Sequence, residues 1–85
     1  MAVREWRVES ASLHIVRLEH GYWSGQAIIW LDGFEIYRRE FSLMDFGLVH
    51  RFDVEGAAFS VHVICRMLCY YDYQLWIDNI QVKPS

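Results

Sequence analysis

Apolar and polar side chains alternate with a period of two through most of this chain of 85 residues. Trp6 and Val8, for example, stand opposite Glu5, Arg7 and Glu9. Successive side chains of a β-strand point to opposite faces, so the alternation predicts strands that bury one face. No segment repeats with the 3.6-residue period of a helix, although residues 42–46 are compatible with one helical turn. The eight alternating runs are residues 3–9, 13–19, 26–31, 34–41, 48–54, 59–65, 70–77 and 80–83.

Short turn signals separate the runs. Asp32-Gly33 suits a two-residue type I′ hairpin turn, which needs positive φ at both positions, and Asp78-Asn79 suits a similar turn near the end. Closely spaced strands with such turns predict an antiparallel meander. Because each apolar sheet face needs cover, we expect a compact antiparallel β-sandwich of about eight short strands. The length suffices for one domain, residues 1–85.

The segment EHGYWSGQAIIWLDG, residues 19–33, is the richest in glycine and tryptophan. Gly21 and Gly25 with His20 and Ser24 suggest a ligand loop or a small catalytic pair. A phosphate loop, however, takes its anion site from a helix N-terminus, and a strand follows here. A catalytic serine also needs a positioned base and a third orienting group. We therefore interpret the segment as a loop between two strands.

A metal site is the next candidate. His62, Cys65 and Cys69 are spaced by three and four residues, but zinc sites usually combine two matched ligand pairs. On a strand, His62 and Cys65 point to opposite faces. The two cysteines share a face only if the strand runs unbroken, and one strand cannot hold them in a disulfide without distortion. His14 and His50 are isolated, so we predict neither metal nor cofactor.

The charge and hydropathy exclude further classes. The net charge is −3, and Arg38-Arg39 is the only basic pair, so nucleic-acid binding is disfavoured. No apolar run reaches the length of about 20 residues that a transmembrane helix needs, and the first residues lack a signal-peptide core. We therefore expect a cytoplasmic protein with reduced thiols.

The order of several motifs resembles the Fas apoptotic inhibitory molecule family. The order and spacing hold across about residues 6–82, and no single motif is distinctive, although the collinear set is fairly specific. They are His20-Gly21 with Ser24-Gly25, Asp32-Gly33, Arg38-Arg39-Glu40, Phe52-x-Val54-x-Gly56-Ala57-Ala58 and Tyr71-x-Tyr73-x-Leu75-x-Ile77.

The resemblance implies a β-sandwich without catalytic residues, in a cytoplasmic protein that acts by binding. The roles it implies are apoptosis and survival signalling and protection against protein aggregation. Two features depart from the family pattern. Its members usually carry two such domains in tandem, and they have Asn-Gly where this chain has Asp78-Asn79.

The surplus of aromatic residues suggests an interface, since 16% of the chain is Phe, Trp or Tyr. Trp76 replaces a position that tends to be charged in the family, and Trp30 lies beside Ile28. An exposed apolar patch there would mark an interface, and a symmetric homodimer would replace the tandem contact. The alternative is that both tryptophans cover a core face. The interaction candidates are Trp30, Trp76, Ile28, Tyr22 and Trp23.

Three function classes therefore compete. The first is a non-enzymatic protein-interaction domain, which we favour. The second is a small-molecule-binding β-barrel, which needs an internal cavity. An interior filled by Trp6, Phe52, Phe59 and Tyr73 would leave none. The third is an enzyme, which needs convergent histidine and carboxylate side chains in a cleft, and the sequence shows no such set.

Overall fold

A computed structural model describes residues 1–42, 46–67 and 70–83, which contain eight strands in two antiparallel sheets. The first sheet has the order β1-β2-β3-β4 and the second the order β5-β6-β7-β8. This confirms the predicted all-β fold with eight antiparallel strands in meander order. The strands are β1 (Ala2–Glu9), β2 (Leu13–His20), β3 (Ala27–Leu31), β4 (Phe34–Arg39), β5 (Gly47–Val54), β6 (Ala57–Met67), β7 (Tyr70–Ile77) and β8 (Ile80–Val82).

The first sheet buries the alternating face that carries Trp6. Trp6 pairs in register with Val16, and Leu18 pairs with Ile29. All four side chains are at most 1% exposed. Register places these side chains on one face of neighbouring strands, which gives a continuous apolar layer across β1, β2 and β3.

The second sheet buries one face of β6 and β7. Val61 pairs with Leu75 and Val63 with Tyr73, and these side chains are between 0% and 8% exposed. Phe59 is 1% exposed, and its ring centroid lies 5.5 Å from that of Phe52. Burial of alternate β6 residues agrees with the predicted period of two.

Among the described residues, three two-residue turns have positive φ at both positions. The φ angles are 51° and 84° in Asp32-Gly33 and 48° and 67° in Asp78-Asn79, as a type I′ turn requires. Glu55-Gly56 has 50° and 83° and joins β5 to β6 in the same way. The sequence analysis did not single out that third turn, because glutamate is an unusual residue at positive φ.

The strand bounds differ from the predicted runs mainly at β4 and β6. β4 ends at Arg39 rather than at residue 41, and β6 starts two residues earlier than predicted and ends at Met67. A register shift in the pairing of β6 with β7 lies between Cys65 and Met67. The predicted helical turn includes residues 43–45, which lie outside the described residues, as does Cys69.

The strands form two compact units, one containing β1 to β4 and the other containing β5 to β8. Within the described residues, each sheet has four strands, with β1 and β4 at the edges of the first sheet and β5 and β8 at the edges of the second. None of the described residues belongs to a helix that is long and apolar enough to cross a membrane. A single domain over residues 1–85 stays a prediction.

Candidate functional site

Residues 21–26 form the loop between β2 and β3, here called the aromatic loop. Gly21 N–H donates to the carbonyl oxygen of Gln26 at 2.9 Å, and Gly25 N–H donates to that of Gly21 at 3.0 Å. Ser24 Oγ accepts a hydrogen bond from Gln26 N–H at 3.2 Å. Gly25 has a φ of 73°, and a β-carbon there would lie 2.8 Å from Ser42. The loop is therefore closed by its own backbone bonds and needs glycine at position 25.

The aromatic loop presents two of the interaction candidates. Trp23 is 85% exposed and Tyr22 is 39% exposed. His20 is fully buried at the end of β2, with its ring edge-on to Tyr22 at a centroid distance of 6.4 Å. Ser24 and His20 are both described and do not hydrogen-bond to each other. The loop therefore displays an aromatic surface, and its serine and histidine do not form a nucleophile–base pair.

Trp30, another candidate, is half-buried in a cleft on the first sheet. Its indole N–H donates to Glu19 Oε2 at 3.1 Å. The surrounding cavity, here called the Trp30 cleft, has a volume of about 420 Å³. The interaction candidate Ile28 is only 7% exposed, so its side chain is buried and contributes little to the exposed surface. The surroundings of Trp30 are more polar than the predicted apolar patch. The cleft is lined by Glu5, Ile15, Arg17, Glu19, Trp30 and Gly33.

Trp76 is half-buried on β7 of the second sheet. Its indole N–H donates to Gln74 Oε1 at 2.9 Å, and its ring lies 6.1 Å from that of His62. A hydrogen bond of 2.9 Å joins His62 Nε2 to Ser60 Oγ. Trp76 therefore lies among polar side chains, and Gln74 accepts the hydrogen bond from its indole N–H. The sequence analysis considered an exposed tryptophan or one that covers a core face, and the half-buried side chain lies between these two alternatives.

A chain of hydrogen bonds that the sequence analysis missed joins Ser12, His14 and Asp32. Ser12 Oγ lies 3.2 Å from His14 Nε2, and His14 Nδ1 lies 2.7 Å from Asp32 Oδ2. These are the residue types and the order of contacts of a serine-hydrolase triad. His14 is buried and Ser12 is exposed. No sequence motif signals the group, because His14 and Asp32 are 18 positions apart and meet only through strand register.

Asp32 also clamps the hairpin to the neighbouring strand. Asp32 Oδ1 accepts a hydrogen bond from Ile15 N–H at 2.8 Å, and Asp32 N–H donates to the Ile15 carbonyl at 2.9 Å. Asp78 makes the same pair of bonds with Ala58 in the second sheet, at 3.0 and 2.9 Å. Because Asp78 repeats the clamp in the other sheet, the geometry of Asp32 is explained by the fold itself.

Several of these groups have shifted pKa values. The pKa of Asp32 is lowered, chiefly by its hydrogen bond with His14 and then by that with Ile15 N–H. Partial burial lowers the pKa of His50. Partial burial also lowers the pKa of His62, and the positive charge of Arg51 lowers this pKa further. Both histidines are therefore biased toward the neutral form at pH 7.

The described residues contain no group of three or more His, Cys, Asp or Glu side chains that could hold a metal ion. Cys65 is a free, half-buried thiol whose Sγ donates to the Met67 carbonyl at 3.5 Å. The metal-site candidate of His62, Cys65 and Cys69, which the sequence analysis disfavoured, includes Cys69, and that residue lies outside the described residues.

Comparison with known proteins gives one family. No curated protein matches this chain. The family model of the Fas apoptotic inhibitory molecule matches residues 2–84, which is essentially the whole chain and agrees with the resemblance in its motifs. The chain therefore belongs to the Fas apoptotic inhibitory molecule family, a family related to apoptosis.

Proposed function

We propose that this chain is a non-enzymatic, cytoplasmic protein-interaction domain that regulates apoptosis and survival signalling and protects proteins from aggregation. The observation that carries the proposal is the aromatic loop, where Trp23 is 85% exposed. A solvent-exposed tryptophan contributes little to the stability of the fold. Tryptophan and tyrosine are, however, enriched among the interface residues that contribute most to binding free energy.

The backbone of the aromatic loop supports this role because it is already ordered. Ser42 N–H donates to the Ser24 carbonyl at 2.9 Å, and Arg39 Nε donates to the Gly25 carbonyl at 2.9 Å. These bonds tie the loop to the chain segment at the end of β4. A loop that is fixed before binding loses less conformational entropy when a partner docks, so Trp23 can contribute more of its burial to affinity.

The proposal also states that the chain has no catalytic activity. The support comes from the surroundings of Ser12 and His14, which could resemble a catalytic pair. Neither described cavity includes Ser12 or His14 among its lining residues. His14 and Asp32 also have a structural explanation as part of the turn clamp. The alternative of a small-molecule-binding barrel has less support, because three of the four predicted interior side chains, Trp6, Phe59 and Tyr73, are buried, while Phe52 is half-buried.

Self-association through the face of Trp76 is a second element of the proposal. A half-buried tryptophan gains further burial when a symmetric copy covers it. Light scattering over a concentration series gives the molar mass, and a Trp76→Glu variant should lower a dimer mass to that of a monomer. A wild-type monomer at high concentration, or an unchanged dimer in the variant, contradicts this element.

The central experiment expresses the chain in cultured cells that undergo Fas-induced apoptosis and measures caspase activation after Fas ligation. We expect the wild type to lower caspase activation and a Trp23→Ser variant to lose the effect. Phe34→Ser is the matched control, because Phe34 is 75% exposed on the same sheet but lies outside the aromatic loop. Full activity of Trp23→Ser, or no effect of the wild type, contradicts the proposal.

Protection against aggregation has its own assay. The chain is mixed with a destabilised client protein, and turbidity is followed during heating. We expect the wild type to delay the turbidity and Trp23→Ser to delay it less, because the loop supplies the apolar contact surface. Equal protection by both proteins would assign the effect to another surface.

A further inference from the structure

The Trp30 cleft combines an indole ring with carboxylates on one sheet face. We propose that it binds the ammonium or guanidinium group of a lysine or arginine side chain from a protein partner. This inference rests on the proposed function and deepens it by naming what the partner presents. The cleft volume of about 420 Å³ falls in the range of sites that hold small ligands and accommodates the end of one such side chain.

Strand register assembles the site from three strands. Glu5 on β1 is the Cα partner of Arg17 on β2, and Arg17 is the partner of Trp30 on β3. Directly paired side chains of antiparallel strands lie on the same face and contact each other. Glu19 lies two residues after Arg17 and therefore on the same face. Glu5, Arg17 and Trp30 thus form a row across the three strands, and Glu19 hydrogen-bonds to the indole from the position next to Arg17 on the same face.

Glu19 orients the indole and keeps one oxygen for a ligand. Its Oε2 accepts from the Trp30 indole N–H at 3.1 Å and lies 3.4 Å from Arg17 Nε. Both contacts use the same oxygen, and in the described ranges no residue donates to Oε1. A ligand N–H can therefore bond to Glu19 without displacing the indole.

The charges of the cleft favour a cation over an anion. Glu5 and Glu19 supply two negative charges against the one positive charge of Arg17. The Arg17–Glu19 contact is weak, because the two side chains are 47% and 22% exposed and exposed ion pairs contribute little. A ligand cation can therefore share the carboxylates, and the aromatic ring adds a cation–π attraction. Gly33 leaves open space at the rim of the cleft.

The test follows the Trp30 indole N–H resonance by NMR, assigned from the signal that disappears in Trp30→Phe. The probe is the peptide Gly-Gly-Lys-Gly-Gly with both ends blocked. The controls are the same peptide with norleucine, which lacks the charge, and with glutamate, which reverses it. We expect the lysine peptide to shift the resonance saturably, with a dissociation constant on the order of 1 mM. The shift should weaken with added salt.

Two variants locate the site. Glu19→Gln keeps an oxygen that can accept the indole N–H but loses the charge, and it should weaken binding about tenfold, as expected when a charged hydrogen-bond partner is lost. Glu35→Gln is the matched control. Glu35 is the β4 register partner of Trp30 but does not line the cleft, and its replacement should leave the affinity unchanged.

Several results would overturn the inference. They are no saturable shift with the lysine peptide, an equal shift with the norleucine or glutamate peptide, and equal losses in Glu19→Gln and Glu35→Gln. The cell assay separates this failure from that of the proposed function. If the lysine peptide does not bind but the wild type still lowers caspase activation in a Trp23-dependent way, only the cleft inference fails.

Discussion

Replacement of Asp32 should destabilise the chain in two separable steps. The carboxylate accepts from Ile15 N–H through Oδ1 at 2.8 Å and contacts His14 Nδ1 through Oδ2 at 2.7 Å. Its φ of 51° is one that asparagine also tolerates and alanine does not. Asp32→Asn therefore removes only the charge that faces His14, whereas Asp32→Ala removes both contacts and strains the turn.

The expected magnitudes follow from these contacts. A hydrogen bond to a charged group contributes about 1.5–3 kcal/mol. The Asp32 side chain is 40% exposed, so water competes and we take about 1 kcal/mol for each contact. Asp32→Asn should then cost about 1 kcal/mol. Asp32→Ala should cost about 3 kcal/mol, because the left-handed backbone adds about 1 kcal/mol. If the 85 residues unfold as the one predicted domain, about 1 kcal/mol lowers Tm by about 4–8 °C.

The assay is thermal unfolding followed by circular dichroism, with Asp78 as the matched control. Asp78 makes the same clamp, with Oδ1 accepting from Ala58 N–H at 3.0 Å, but it has no histidine contact. Asp78→Asn should therefore leave Tm unchanged, while Asp78→Ala should lower it. The reasoning is refuted if Asp32→Asn costs as much as Asp32→Ala, or if Asp78→Asn costs as much as Asp32→Asn.

The same pair of proteins has a defined pH dependence. The pKa of Asp32 lies below its ordinary value of 3.8, because His14 and Ile15 N–H bond to the charged form. A carboxyl whose pKa is lower in the folded state stabilises the fold above its unfolded pKa, and this stability is lost as the pH falls through the folded pKa. The difference in stability between wild type and Asp32→Asn should hold at neutral pH and close below about pH 4.

Three further substitutions or probes test the packing and the site. Gly25→Ala should cost more than Gly33→Ala in urea unfolding, by about 1–3 kcal/mol for overpacking. Both glycines have positive φ, but only at Gly25 would a β-carbon meet Ser42, at 2.8 Å, and at Gly33 it meets nothing. Phe59→Ala should cost about 3–5 kcal/mol in the same assay, because the ring is 1% exposed; a loss below about 1 kcal/mol would contradict its place in the core. A fluorophosphonate probe should give no adduct at Ser12 by mass spectrometry, and an adduct there would contradict the non-enzymatic proposal.

Local sequence patterns determined the strands and two of the turns. Alternation of apolar side chains depends only on neighbouring residues, so it identified all eight strands to within about two residues. The turns at Asp32-Gly33 and Asp78-Asn79 could also be predicted from the sequence, because the tolerance of Asp, Asn and Gly for positive φ is a property of the residues themselves. The aromatic surplus predicted that some aromatic side chains lie at the surface and Trp23 was named as an interaction candidate, but the sequence did not show that it would be the one most exposed.

Tertiary structure alone decided which side chains meet. Strand register brings His14 to Asp32, and it brings Glu5, Arg17 and Trp30 into one row. Register depends on the pairing of strands that are distant in sequence, and a shift of one residue would send every side chain to the opposite face. Strand pairing also places Trp30 beside Glu19 of β2 and Trp76 beside His62 of β6. The sequence by itself therefore determined the strands and the family resemblance, and the three-dimensional pairing determined the composition of the Trp30 cleft.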